Sequence, residues 1–168
     1  AISCQSIPEE PVGPTGSVDS SNSLAYIGIS ETVRLSLFII HDDSDQPRPL
    51  VADGADFEDP AFSPDGRTVA VASNRSGFWR IELLDLNTLE LSTLTTSEFR
   101  DFAPAFSPNG RQIAFQRQLD NELDWDIFVI DIDGGNLRNL TNAEGPDRQP
   151  TWSPEGSQIA YQHGPDRL

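Results

Sequence analysis

The 168 residues carry 27 acidic and 11 basic side chains, a formal net charge of −16, so a nucleic-acid backbone or an anionic membrane surface would be repelled. One cysteine, Cys4, allows neither a disulfide within these residues nor a paired thiolate site, and no apolar run approaches the roughly 20 residues of a membrane helix. All the basic residues are arginine, which fits either a genome-wide bias or a need for bidentate pairing with carboxylates.

Residues 1–23 contain Pro8, Pro11, Gly13, Pro14 and Gly16 among several serines, the composition of a flexible tether. Within it Ala1-Ile2-Ser3-Cys4 resembles the end of a bacterial lipoprotein signal peptide, with Cys4 as the lipid-attachment residue, although Ala1 stands where leucine is usual. The other reading of Cys4 is an incidental cysteine in a disordered arm. From residue 24 the chain changes character. Asn22-Ser23-Leu24-Ala25-Tyr26-Ile27 matches Ser157-Gln158-Ile159-Ala160-Tyr161-Gln162, and Leu37-Phe38-Ile39-Ile40-His41-Asp42 and Arg48-Pro49-Leu50-Val51 read as two further strands.

The stretch Ala61-Phe62-Ser63-Pro64-Asp65-Gly66-Arg67-Thr68-Val69-Ala70 returns at 105–114 and at 151–160, with its aromatic anchors Phe62, Phe106 and Trp152 separated by 44 and 46 residues. That period matches a four-stranded propeller blade. Ser-Pro-Asp/Asn-Gly is the residue order of a type I turn. After each turn the residues alternate, Val69 and Val71 with Ala70 and Ala72, Ile113 and Phe115 with Ala114 and Gln116, which reads as a strand. Trp79 to Asp85 and Trp125 to Asp131 both span six residues, so the difference in period falls in the loop before the Trp. The runs 80–86 and 126–132 are apolar on both faces, as a strand between two neighbouring sheets must be. Short fourth strands are expected at 90–95 and 137–141, the second after the turn-rich Asp133-Gly134-Gly135-Asn136.

Phe/Trp-Ser-Pro-Asp/Asn/Glu-Gly, then Ile/Val-Ala, a Trp-led strand ending in Asp, Asp-Gly-Gly-Asn-Leu-Arg-Asn-Leu-Thr, and Asp101 or Asp147 three residues before the next Pro together resemble the TolB-like β-propeller repeat over about 140 of the 168 residues. The departures are Phe57 in place of that Asp, Glu155 in the last turn, and a first blade without its turn motif. The resemblance implies an all-β fold of four-stranded antiparallel blades, about three to four of them, as a partial propeller. The strand inventory is three, four, four and two, so the chain is expected to continue past Leu168 or to be covered within a larger complex. The family includes a periplasmic member of a protein assembly and the non-catalytic propellers of prolyl-oligopeptidase-like enzymes.

No Gly-x-Ser-x-Gly is present, and the only histidines, His41 and His163, sit at strand ends. The carboxylate groups Asp42, Asp43, Asp45 and Asp120, Glu122, Asp124, Asp126 do not follow a calcium-loop order and read as solvated loops, so neither a metal nor a cofactor is expected. Asp101 and Asp147 are expected to hydrogen-bond nearby backbone N–H groups. Trp79, Trp125 and Trp152 are expected in the blade core. Loops 28–36, 53–59, 74–77, 97–102, 117–124 and 143–148 would share one face, with Arg75, Arg100, Arg117 and Arg148 as its partner-binding cations among many carboxylates. Two functions follow: a non-catalytic extracytoplasmic protein-interaction or scaffold module, a subunit of a larger envelope or membrane-associated assembly with other protein subunits as partners, or the propeller portion of a larger enzyme such as a prolyl-oligopeptidase-like hydrolase.

Overall fold

The computed structural model describes residues 17–18, 23–29, 35–41, 46–51, 54–119, 124–142 and 145–164, which form strands and no helix. Four antiparallel sheets follow one another in chain order. The first holds β1 (Ser17–Val18), β2 (Ser23–Ile29), β3 (Leu35–His41) and β4 (Arg48–Pro49). The second holds β5 (Phe57–Phe62), β6 (Thr68–Ser73), β7 (Arg80–Asp85) and β8 (Leu91–Thr93). The third holds β9 (Arg100–Phe106), β10 (Gln112–Gln118), β11 (Trp125–Asp131) and β12 (Arg138–Asn139), and the last β13 (Asp147–Trp152) with β14 (Ile159–His163). Each strand pairs with its sequence neighbour, and the first strands of successive sheets, β5, β9 and β13, lie beside one another. This is the radial blade order of a propeller.

The first sheet differs from its expected three strands. Ser17 pairs with Ala25 and Val18 with Leu24, so a fourth strand lies inside the stretch read as tether. Main-chain pairing over two residues needs no side-chain pattern, and no Ser-Pro-Asp-Gly turn announces it. Cys4 and residues 1–16 lie outside the described residues, as do Asp42, Asp43, Asp45, Asp120 and Glu122.

The repeated turn is built by its serine. Ser107 Oγ donates to Asn109 Oδ1 at 2.8 Å and accepts the Gln112 N–H at 3.0 Å, while the Gly110 N–H closes the turn on the Ser107 carbonyl at 2.9 Å. Ser63 and Asp65 repeat this, with Ser63 Oγ donating to Asp65 at 2.7 Å. Gly110 and Gly156 adopt φ of +68° and +73°, where a side chain is strained, and a Cβ there would sit 3.6 Å and 3.4 Å from Pro64 and Pro108 of the preceding sheet. The turns therefore stack sheet on sheet.

Alternation divides each sheet between two interfaces. Val69, Val71 and Leu84 pack with Ala25, Leu37, Ile39 and Phe57 against the first sheet, while Ala70, Ala72 and Ile81 pack with Ile113, Phe115 and Ile130 against the third. Each valine, leucine, isoleucine or phenylalanine among them contributes about 1.5–3 kcal/mol when fully buried.

Ser107→Ala removes a buried hydroxyl with two turn bonds and is expected to cost about 1–2 kcal/mol in urea unfolding. Ser157→Ala, exposed and bonded only to Glu155 within its turn, is expected to change stability by less than about 0.5 kcal/mol.

Candidate functional site: the loop end of the sheets

The connections from second to third strand, and from fourth strand to the next sheet, emerge at one end of the stack, where the Asp101 N–H donates to the Trp79 carbonyl at 3.1 Å. Here a ladder of rings crosses the sheets: Trp79 packs on Phe102 at 5.0 Å between centroids, Phe102 on Trp125 at 5.9 Å, and the Arg148 guanidinium lies 5.0 Å above Trp125. The tryptophans thus seal the contacts between sheets, half-buried, and do not fill the interior of one blade. Trp152 belongs to another repeat position, that of Phe62 and Phe106, and its Nε1 donates to the Ala105 carbonyl of the preceding sheet at 3.1 Å.

One cross-strand position, at the start of the first strand and the end of the second, carries a different pair in each of the second, third and last sheets. In the third, the fully buried Asp101 accepts two bonds from Arg117, Nε at 2.7 Å and Nη2 at 2.8 Å. The guanidinium lies 4.9, 5.2 and 5.9 Å from the ring centroids of Phe128, Phe115 and Phe99. In the last sheet His163 Nδ1 stands 2.7 Å from Oδ1 of the buried Asp147. In the second, Phe57 opposes Ser73 and both are buried. The two aspartates are structural, as expected, but through side-chain partners on the next strand and not through backbone N–H groups.

Arg117 is accordingly placed apart from the other expected partner-binding cations. Its side chain is 6% exposed and bonded to Asp101 through Nε and Nη2, because β10 runs to Gln118 and leaves Arg117 within the strand. Arg75 and Arg100 are exposed at this end, Arg75 in the turn after β6 and Arg100 at the start of β9, and Arg148 is half-buried on Trp125. Beside them Phe78 and Phe99, which sequence reading did not single out, are 45% and 39% exposed. Among the described residues no group of three or more His, Cys, Asp or Glu is arranged to hold a metal ion. Asp126 instead accepts from Asn139 Nδ2 at 2.6 Å and Thr141 Oγ1 at 3.1 Å.

The residues before Pro60, Pro104 and Pro150 adopt positive φ, namely Asp59 at 52°, Ala103 at 49° and Gln149 at 52°, and each first strand bulges there. The N–H freed at Ala103 is taken by Asp59 Oδ2 of the preceding sheet at 3.0 Å, and that at Gln149 by Gln116 Oε1 at 2.9 Å. Burial pushes the Asp59 carboxyl above its ordinary range, opposed by the Ala103 bond, and Glu58 is raised by burial and by the neighbouring Asp59 and Asp56.

Two outcomes test these assignments. Arg117→Met strands a buried carboxylate and is expected to cost about 3–5 kcal/mol. The double variant Asp101→Phe/Arg117→Ser, copying the Phe57–Ser73 pair, should recover at least half of that loss in urea unfolding. For Asp59 the raised folded pKa means that ionisation opposes folding as pH climbs from the unfolded value near 3.8 through the folded value. Asp59→Asn, keeping an acceptor for Ala103, is expected to raise the melting temperature at pH 7 and to lose that advantage below about pH 3.

The sheets, their turns and the bulged first strands define a β-propeller. The profile of the TolB beta propeller domain matches residues 21–166, and the chain belongs to that family. A 56-residue stretch, 33% of this chain and 12% of its relative, is 45% identical to the Tol-Pal system protein TolB of Hydrogenovibrio crunogenus. A solved TolB chain from Agrobacterium tumefaciens superposes with a TM-score of 0.74 at 22% identity, over 83% of this chain and 50% of its own length. A puromycin-hydrolyzing peptidase of Mycobacterium tuberculosis superposes with a TM-score of 0.66 at 13% identity, over 88% of this chain and 28% of that one. These likenesses carry the fold, and the chain spans half or less of the length of each of these three proteins.

Proposed function

We propose that this is a non-catalytic protein-interaction module on the extracytoplasmic side of a bacterial envelope, binding a protein subunit through the loop end of its sheets. The observation that carries the reading is the grouping of Arg75, Arg100 and Arg148 with Phe78, Phe99 and the Trp79–Trp125 ladder at one end of a molecule whose net charge is −16. Arginine and aromatic side chains are the types enriched at the energetic centres of protein interfaces. Membership of the TolB propeller family supports the envelope setting, and the small residues before Cys4 support lipid attachment there. The likeness to the peptidase is confined to the fold and favours no reaction.

Capture from a detergent-solubilised envelope extract tests the face. Arg100→Glu/Arg148→Glu is expected to reduce recovery of the wild type's main captured protein at least tenfold, and that capture should weaken as salt rises. Unchanged recovery by a variant with wild-type circular dichroism would rule out this end as the binding face. Arg117 is left out of the test because its reversal would act through folding.

A further inference from the structure

Asn109 precedes Gly110, and no other asparagine of the chain is followed by glycine. In such a pair the glycine nitrogen meets no Cβ of its own residue as it approaches the preceding side-chain amide, and the backbone turns easily to bring it there. The folded turn withholds both reacting groups. The Gly110 N–H donates to the Ser107 carbonyl at 2.9 Å, while Asn109 Oδ1 accepts from the Ser107 hydroxyl at 2.8 Å and from the Arg111 N–H at 3.0 Å. Ser107 is buried and its Oγ also accepts the Gln112 N–H at 3.0 Å, so the hydroxyl is fixed from the strand side. Asn109 keeps a negative φ, which makes the turn type I and sets its ψ at about 0°. Closing a ring between Gly110 N and Asn109 Cγ needs that ψ turned by roughly 120° from the type I value, and the turn's hydrogen bonds do not survive the rotation.

We infer that Asn109 is a site of spontaneous deamidation and that the Ser107 hydroxyl gates it, so that modification follows the opening of this one turn. The Gly110 nitrogen gives up its proton and bonds to Asn109 Cγ, the Cγ–Nδ2 bond breaks, and ammonia leaves with that proton. Water then opens the succinimide. Breaking the new N–Cγ bond leaves aspartate, and breaking the older bond to the Asn109 backbone carbonyl carbon leaves isoaspartate. The repeat accommodates the first product alone. In the second sheet Asp65 holds this position, accepting from Ser63 Oγ at 2.7 Å and from the Arg67 N–H at 3.2 Å, the same two bonds that Asn109 makes. Isoaspartate lengthens the main chain inside the turn, so the Gly110 N–H no longer meets the Ser107 carbonyl, and Pro108 leaves its place beside Gly156 of the last sheet. Deamidation here either leaves the stack intact or loosens the third sheet from the last, according to which imide bond water opens.

The test follows conversion at Asn109 by peptide mass mapping of the intact protein held in mildly alkaline buffer, beside a free peptide with the sequence of residues 105–114. The protein is expected to react at least about tenfold more slowly than the peptide, since only the opened turn reacts. Ser107→Ala should speed the reaction in the folded protein by about five- to thirtyfold, the change in opening that loss of the hydroxyl implies. Ser63→Ala loses the same hydroxyl in the second sheet and should leave the rate at Asn109 unchanged, while Asn109→Asp should unfold in urea at the wild-type midpoint. Equal rates in protein and peptide, or a wild-type rate in Ser107→Ala, would overturn the gate. So would equal acceleration by Ser63→Ala, which would show that unfolding of the whole stack sets the rate. An unmodified Asn109 in the free peptide would overturn the site itself. None of these readouts depends on the arginine face proposed above.

Discussion

A sheet that is apolar on both faces is stable only between two others, and this constraint orders everything else in the chain. The strand β7 cannot turn either face to water, because Ile81 looks one way and Leu84 the other and both are fully buried. Successive sheets must then lie face to face at a fixed spacing, and the connecting features follow from that stacking. Trp152 reaches back to the Ala105 carbonyl, Asp59 reaches forward to the Ala103 N–H, and the glycines of the turns leave room for the preceding prolines. Each of these is a contact between sheets, so the repeat's most regular residues serve the stack more than the blade that contains them.

The family and the blade plan were legible because they rest on signals that local chemistry writes into sequence: a turn with a required glycine, alternation by twos, and a fixed return of both. What escaped was whatever depended on pairing across strands. By sequence Arg117 falls in an expected loop, yet the strand β10 continues past it and sets it opposite Asp101. The clue available in the sequence was the sixteen-residue interval that Asp101–Arg117 shares with Asp147–His163 and Phe57–Ser73. The strand β1 likewise has only backbone pairing across strands to define it. Phe78 and Phe99 lie in loops, outside the repeat's periodic positions, and their exposure beside Arg75 and Arg100 becomes visible only when the loops are brought to one end.

The single cross-strand position with three solutions shows how the fold separates geometry from chemistry. A position that is buried on both strands tolerates an apolar pair such as Phe57 with Ser73, or a carboxylate whose oxygens are both engaged, as in Asp101 with Arg117. Asp147 is the intermediate case, one oxygen facing His163 and the other buried without a hydrogen-bond partner. His163 itself is 56% exposed on its side chain, so water reaches this last pair from the histidine side while the carboxylate stays as buried as Asp101.

That contrast also bears on a composition with arginine and no lysine. Arg117 uses what distinguishes a guanidinium from an ammonium group, two parallel bonds to one carboxylate and a flat face against three rings, inside a space from which water is excluded. Arg148 uses only the flat face, on Trp125, and Arg75 and Arg100 stand exposed. A lysine could replace the exposed Arg100 with little structural loss, could cover Trp125 less well, and could not make the paired bonds to Asp101. The need for arginine is therefore local and graded, strongest where the third sheet closes and weakest at the outer loops, so that one residue type both fastens the stack and faces outward from its end.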